Sequence, residues 1–133
     1  MIKKISHVAM VVEDLDDAIE LYETAFDLKA VEVRVTGSRK TAIIPVGNGY
    51  LDISQPIHSE DMLSKFLRAH GEGIHHIAFE TDDIQVDVEA IKKRGVKMVD
   101  ESPRTGAQGS KIAFISSEST HGVSIELIEK ASP

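Results

Sequence analysis

His7-Val8-Ala9-Met10-Val11-Val12-Glu13-Asp14-Leu15 and His76-Ile77-Ala78-Phe79-Glu80-Thr81-Asp82-Asp83-Ile84 are the two stretches that decide how this chain is read. Both open on histidine, continue as aliphatic, alanine and apolar, and reach an aspartate followed by an aliphatic residue. Internal similarity of this kind marks a duplicated unit. A second match lies toward the far end of each copy, where Leu51-Asp52-Ile53 aligns with Ile125-Glu126-Leu127. The few residues inserted between the matches fall in loops, where insertions are tolerated.

After its aspartate each copy changes from strand-like to helical periodicity. In the first, Asp14 is placed to cap a helix in which Leu15, Ala18, Ile19, Tyr22, Ala25 and Phe26 recur at helical spacing. In the second, Asp83 caps and Ile84, Val88 and Ile91 form the apolar stripe. Lys92-Lys93-Arg94 before Gly95 supply a stop, through the helix dipole and the left-handed tolerance of glycine. Three strand-like runs follow each helix, at residues 30–35, 40–46 and 50–54, then at 97–100, 110–116 and 123–129. Between the copies, Ser59 to His70 carries Met62, Leu63, Phe66 and Leu67 on one helical face, with Ser59 as the expected N-cap and Gly71 past the end.

The predicted fold is therefore α+β, built of two βαβββ modules. One domain spans residues 1–133, with module 1 at about 1–57, a linking helix at about 59–71 and module 2 at about 72–130. Ala131-Ser132-Pro133 reads as a loose tail.

Composition narrows the function classes. The 133 residues carry 22 acidic against 15 basic side chains, a formal charge of −7, with no Lys/Arg block, so nucleic acid is not the expected partner. Hydrophobic content of 41% and charged content of 28% are those of a folded globular protein. Without cysteine there is no disulfide framework, thiolate metal site or cysteine nucleophile. The N-terminal residues run directly into strand-like alternation, and apolar runs are far shorter than a membrane span. A cytoplasmic protein with no membrane partner is expected.

Strand parity then singles out four polar positions. Residues two apart share a face, so His7 lies with Ile5, Ala9 and Val11, opposite Val8, Met10 and Val12. His76 lies with Ala78 and Glu80, opposite His75, Ile77 and Phe79. Asp52 lies with Tyr50 and Ser54, opposite Leu51 and Ile53, and Glu126 with Ser124, opposite Val123, Ile125 and Leu127. Two imidazoles and two carboxylates on repeat-related faces suit a borderline divalent ion such as Co, Mn, Ni, Zn or Fe(II). Ligands on rigid strands can leave coordination positions open for a substrate. His75 points by parity toward the helix layer, while His58, His70 and His121 fall near loops or helix ends. Asp82 reads as a turn residue. Arg104 to Lys111 reads as a Gly-containing loop before a strand, without a phosphate-loop signature.

Paired modules with this ligand pattern resemble the vicinal-oxygen-chelate (glyoxalase/bleomycin-resistance) superfamily, and within it most closely the methylmalonyl-CoA epimerases. The resemblance is carried by Ile5-Ser6-His7-Val8-Ala9, Pro45-Val46-Gly47-Asn48 and Gly71-Glu72-Gly73-Ile74-His75-His76-Ile77-Ala78-Phe79-Glu80. It continues through Gly106-Ala107-Gln108-Gly109 toward Phe114 and Gly122-Val123-Ser124-Ile125-Glu126-Leu127. It implies that the two modules form a curved, incompletely closed mixed β-sheet barrel with the helices outside and, carried over position by position, metal ligation by His7, Asp52, His76 and Glu126. It also implies interconversion of (R)- and (S)-methylmalonyl-CoA through a metal-stabilised enolate, with Glu126 as the catalytic residue, and a homodimer as the working unit.

The chain departs from the epimerase pattern in three places. Asp52 stands where Glu or Gln is usual, residues 33–40 lack the Pro-Glu-Gln-Gly-Val-like stretch, and Ser116-Ser117 replaces a His-Pro. A second proton-transfer carboxylate of some members falls near Lys40. CoA esters are strongly anionic, which nominates Arg104 and Lys111 as a positive rim. The resemblance leaves two alternatives: a glyoxalase I-like lactoylglutathione lyase, and a metal-free small-molecule binding or resistance protein of the same fold.

Overall fold

Two compact units divide the chain, and the division falls inside the first strand. One unit comprises His7–His75, the other Met1–Ser6 together with the chain from His76 onward. The computed structural model describes residues 1–132, so Pro133 of the expected tail lies outside the described residues.

In the unit His7–His75, the residues 7–11 of β1 (Ile2–Val11) pair in parallel with β4 (Gly49–Pro56). Strand β3 (Arg39–Val46) pairs antiparallel with β4 and with β2 (Glu32–Thr36). Helix α1 (Leu15–Phe26) begins where expected, with the Asp14 side chain accepting from the Asp17 N–H at 3.1 Å. Its Leu15 and Ala18 pack on Ala42, Ile44 and Ile53, with Met10, Val12, Tyr22 and Leu51 around them. These strand residues all come from the face opposite His7 and Asp52, so parity and burial agree.

Helix α2 (Met62–His70) starts later than expected. Asp61, not Ser59, is the N-cap, with its carboxylate accepting from the Leu63 N–H at 3.2 Å and from Ser38 Oγ at 2.7 Å. Ser59 contributes only its carbonyl, which accepts from Arg68 Nη1 at 2.9 Å. The two residues are comparable caps in isolation, and the additional bond from Ser38 decides between them.

In the other unit, β5 (Gly73–Thr81) pairs in parallel with β8 (Ile125–Glu129) through residues 77–80. Strand β7 (Lys111–Ile115) pairs antiparallel with β8 and with a two-residue edge strand, β6 (Arg104–Thr105). Helix α3 (Ile84–Lys93) is capped by Asp83, whose carboxylate accepts from the Val86 N–H at 3.2 Å, and Gly95 follows it at φ +85°. Ile84 and Val88 pack on Ala113, Ile115, Ile125 and Leu127.

The run 97–100 does not form the expected strand. It makes a single bridge, Met98 to Ile115, and Asp100 then commits its carboxylate to the Phe114 N–H at 2.8 Å, ending the ladder. The edge passes to Arg104–Thr105, within the segment expected to be loop, and a 3-10 turn at Ala107–Gly109 follows.

Among the described residues, eight strands are hydrogen-bonded in the order β2-β3-β4-β1-β5-β8-β7-β6, a mixed sheet. Each half repeats one sequence of neighbours, β2-β3-β4-β1 and β6-β7-β8-β5. The expected α+β architecture of duplicated βαβββ units is the one observed. Among the described residues no helix is long and apolar enough to cross a membrane.

Candidate metal centre

The strand registers place the four polar positions at equivalent points of the two copies. In one unit Ala9 pairs with Asp52, and in the other Ala78 pairs with Glu126. The histidine stands two residues before the alanine in both copies, hence on the same face. The repeat therefore holds at the level of individual strand partners.

His76 and Glu126 meet directly. Nε2 of His76 lies 3.7 Å from Oε1 of Glu126, and the side chains retain only 14% and 8% of their exposure. Phe114, which pairs with Glu126 across β7 and β8, sets its ring edge-on to His76 at 5.1 Å and 87°. Beyond Phe114 lies Arg104, with its guanidinium carbon 5.9 Å from the ring centre and its Nε donating to Asp100 Oδ1 at 3.1 Å. Arg104 thus sits on a strand rather than in a loop, and Lys111 is exposed at the start of β7.

His7 and Asp52 occupy the corresponding positions in the other unit. His7 is buried and stacks on Tyr50, its strand partner, at 4.8 Å between ring centres and 22° between planes. Asp52 is half-buried, and its Oδ1 accepts from Ser54 Oγ at 3.4 Å. Ser54 Oγ in turn lies 2.8 Å from Thr41 Oγ1.

The remaining histidines stay out of these groups. His75 places its ring against Phe66 of α2 at 4.9 Å, in keeping with its parity, and His70 packs on the same Phe66 at 4.7 Å. His58 and His121 are exposed. Asp82 takes the charged N-terminus at 3.0 Å. Lys40 is tied to Asp16 of α1 at 3.6 Å, on the helix-packed face of β3, so it does not stand in for the second carboxylate.

Parity put Tyr50 and Ser54 on the face of Asp52, but their contacts, and the residues Phe114 and Thr41, were not singled out from sequence. The signal that finds them is register. Tyr50 pairs with His7 and Phe114 with Glu126, while Thr41 pairs with Ser54, the same-face neighbour of Asp52, and parity alone does not reveal pairs on different strands.

Comparison with known proteins agrees with this architecture. An uncharacterised protein of Bacillus subtilis is 32% identical over 95% of this chain and 91% of its own length. The mitochondrial methylmalonyl-CoA epimerase of Dictyostelium discoideum is 30% identical over 97% of this chain and 80% of its own length. A variant of Streptomyces coelicolor methylmalonyl-CoA epimerase, solved in complex with 2-nitronate-propionyl-CoA, superposes with a TM-score of 0.89 and 30% identity over 100% of both chains. A family model described as the Glyoxalase/Bleomycin resistance protein/Dioxygenase superfamily matches residues 6–114, and the chain belongs to that superfamily.

Proposed function

We propose that the protein is a divalent-metal-dependent epimerase that interconverts (R)- and (S)-methylmalonyl-CoA, with His7, Asp52, His76 and Glu126 holding the ion. The observation that carries this reading is the buried imidazole–carboxylate pairing of His76 with Glu126, in a register repeated by His7 and Asp52. The donor set fits a borderline divalent ion, since His76 and Glu126 supply an imidazole beside a carboxylate in one unit and His7 and Asp52 offer the same two donor types in the other. Asp52 is the fourth member by repeat and parity. The solved relative with an acyl-CoA bound supports a CoA thioester as the substrate class.

When bound, such an ion supplies a Lewis acid toward the thioester carbonyl and neighbouring carboxylate of the substrate. The protein supplies the rest. Glu126 is the carboxylate that takes the α-proton from one face of the substrate, a second acid returns a proton to the opposite face of the α-carbon, and burial beside His76 fixes the orientation of Glu126. Phe114, set against His76, excludes water from that side. Tyr50 stacked on His7 restrains the imidazole plane in the same manner. The working unit in this reading is a cytoplasmic homodimer, which light scattering checks.

The test is α-proton exchange. Methylmalonyl-CoA incubated with the metal-loaded protein in deuterium oxide is expected to take up one deuterium and to scramble its α-centre. A protein that exchanges nothing but turns over the methylglyoxal–glutathione hemithioacetal would be a lyase. One that binds no ion at all would be a small-molecule binder.

A further inference from the structure

Asp52 is the short member of the proposed ligand set, and its neighbours differ in kind from those of Glu126. Asp52 and Ser54 share a face of β4, and Thr41 of β3 is the strand partner of Ser54. Thr41 and Ser54 are both buried, with their hydroxyl oxygens 2.8 Å apart, and Ser54 Oγ donates to Asp52 Oδ1 at 3.4 Å. An ionised carboxylate only accepts, so the single Ser54 proton goes to Asp52 and the proton between the hydroxyls comes from Thr41. The chain therefore runs one way, Thr41 to Ser54 to Asp52, and each bond polarises the next.

The other copy provides the control. Glu126 has Ile128 two residues on, and Ile112 is the strand partner of Ile128. An apolar pair thus fills the positions that Thr41 and Ser54 occupy beside Asp52. Burying two hydroxyls is unfavourable unless each finds a partner. They occur only in the copy whose carboxylate is one methylene shorter.

We infer that Thr41 and Ser54 are positioning residues that aim the Asp52 carboxylate, compensating for its shorter reach, so that it serves in the divalent-ion site. The inference rests on the reading that Asp52 belongs to that site. It goes beyond the ligand set by assigning the hydroxyl pair a role in ion affinity and not in core packing alone.

The experiment titrates Co(II) or Mn(II) into the metal-free, full-length protein and follows binding by calorimetry. Ser54→Ala is expected to weaken ion binding about tenfold, the scale of losing a residue that orients a ligand, while Ser54→Thr keeps the hydroxyl and restores it. Thr41→Val, which leaves Ser54 without its donor, is expected to lose less. In an Asp52→Glu background the longer side chain makes the hydroxyls dispensable, so adding Ser54→Ala changes nothing further, a non-additivity that a double-mutant cycle reads. Urea midpoints of the metal-free variants separate ion affinity from general stability. A hydroxyl pair with a merely structural role would shift those midpoints and leave ion affinity untouched, which overturns the inference, as does an equal loss in both backgrounds. Wild-type ion affinity in Asp52→Ala removes Asp52 from the site and the inference with it. Unchanged affinity in His76→Ala and Glu126→Ala would instead overturn the functional reading.

Discussion

The two copies agree in backbone and diverge in chemistry. Ala9 opposite Asp52 and Ala78 opposite Glu126 are the same strand contact made twice. Around that contact, one copy places Ile43, Thr41 and Ser54 and the other Phe114, Ile112 and Ile128. One carboxylate is reached by hydroxyls, and the other sits beside an aromatic ring and aliphatic side chains. Duplication fixes where a side chain stands, through hydrogen-bond register, and leaves free what that side chain is. Two carboxylates at equivalent positions need not do equivalent work.

The largest expected effect tests that inequality. Glu126→Gln is expected to lower kcat/KM for α-proton exchange about a thousandfold, the scale of losing a general base, while Asp52→Asn lowers it about tenfold through ion affinity alone. Equal losses would break the asymmetry. Leu127 and Ile53 are equivalent fully buried core positions, and alanine at either is expected to cost about 2–5 kcal/mol by urea unfolding. A loss confined to one would show that the two cores are not equally supporting. Asp14→Ala and Asp83→Ala remove equivalent helix caps and are expected to cost about 1 kcal/mol each.

The smallest effect is a dependence on pH present in one copy only. Burial pushes the Glu80 carboxyl up, but the hydrogen bond and charge of Lys130, with Lys4 and Lys3, outweigh it and hold the group below its ordinary value. Its folded value is thus the lower one, so the stabilisation is present above the ordinary carboxylate range and is lost as pH falls through the folded value. The stability gap between wild type and Glu80→Gln is expected to narrow on acidification. The equivalent position in the other copy is Val11, which has nothing to titrate. A gap that stays constant with pH would remove the distinction.

Much of the fold was legible because it is written locally. The paired histidines, the Asp14 and Asp83 caps and the alternation of β4 and β8 each depend on residues a few positions apart. What was not legible depends on partners distant in sequence. Asp61 displaces Ser59 as a cap because Ser38 reaches it. The strand moves from 97–100 to Arg104–Thr105 because Asp100 uses its side chain on the Phe114 backbone. The candidate site divides in the same way. Residue type and parity pointed to the four polar positions, whereas the Tyr50 stack, the Phe114 edge contact and the hydroxyl chain came from register.

The boundary between Ser6 and His7 has a consequence for how the protein is made. Residues 1–6 belong with the chain from His76 onward, through contacts such as the terminal amine with Asp82 and Asp87 and Lys3 with Glu80. They are made before the segment they pack with, while the intervening chain is synthesised at about 5–20 residues per second. A gene fragment that starts at the linking helix would deliver a sheet lacking its neighbouring strand, so splitting the gene at the repeat would not yield two self-sufficient products.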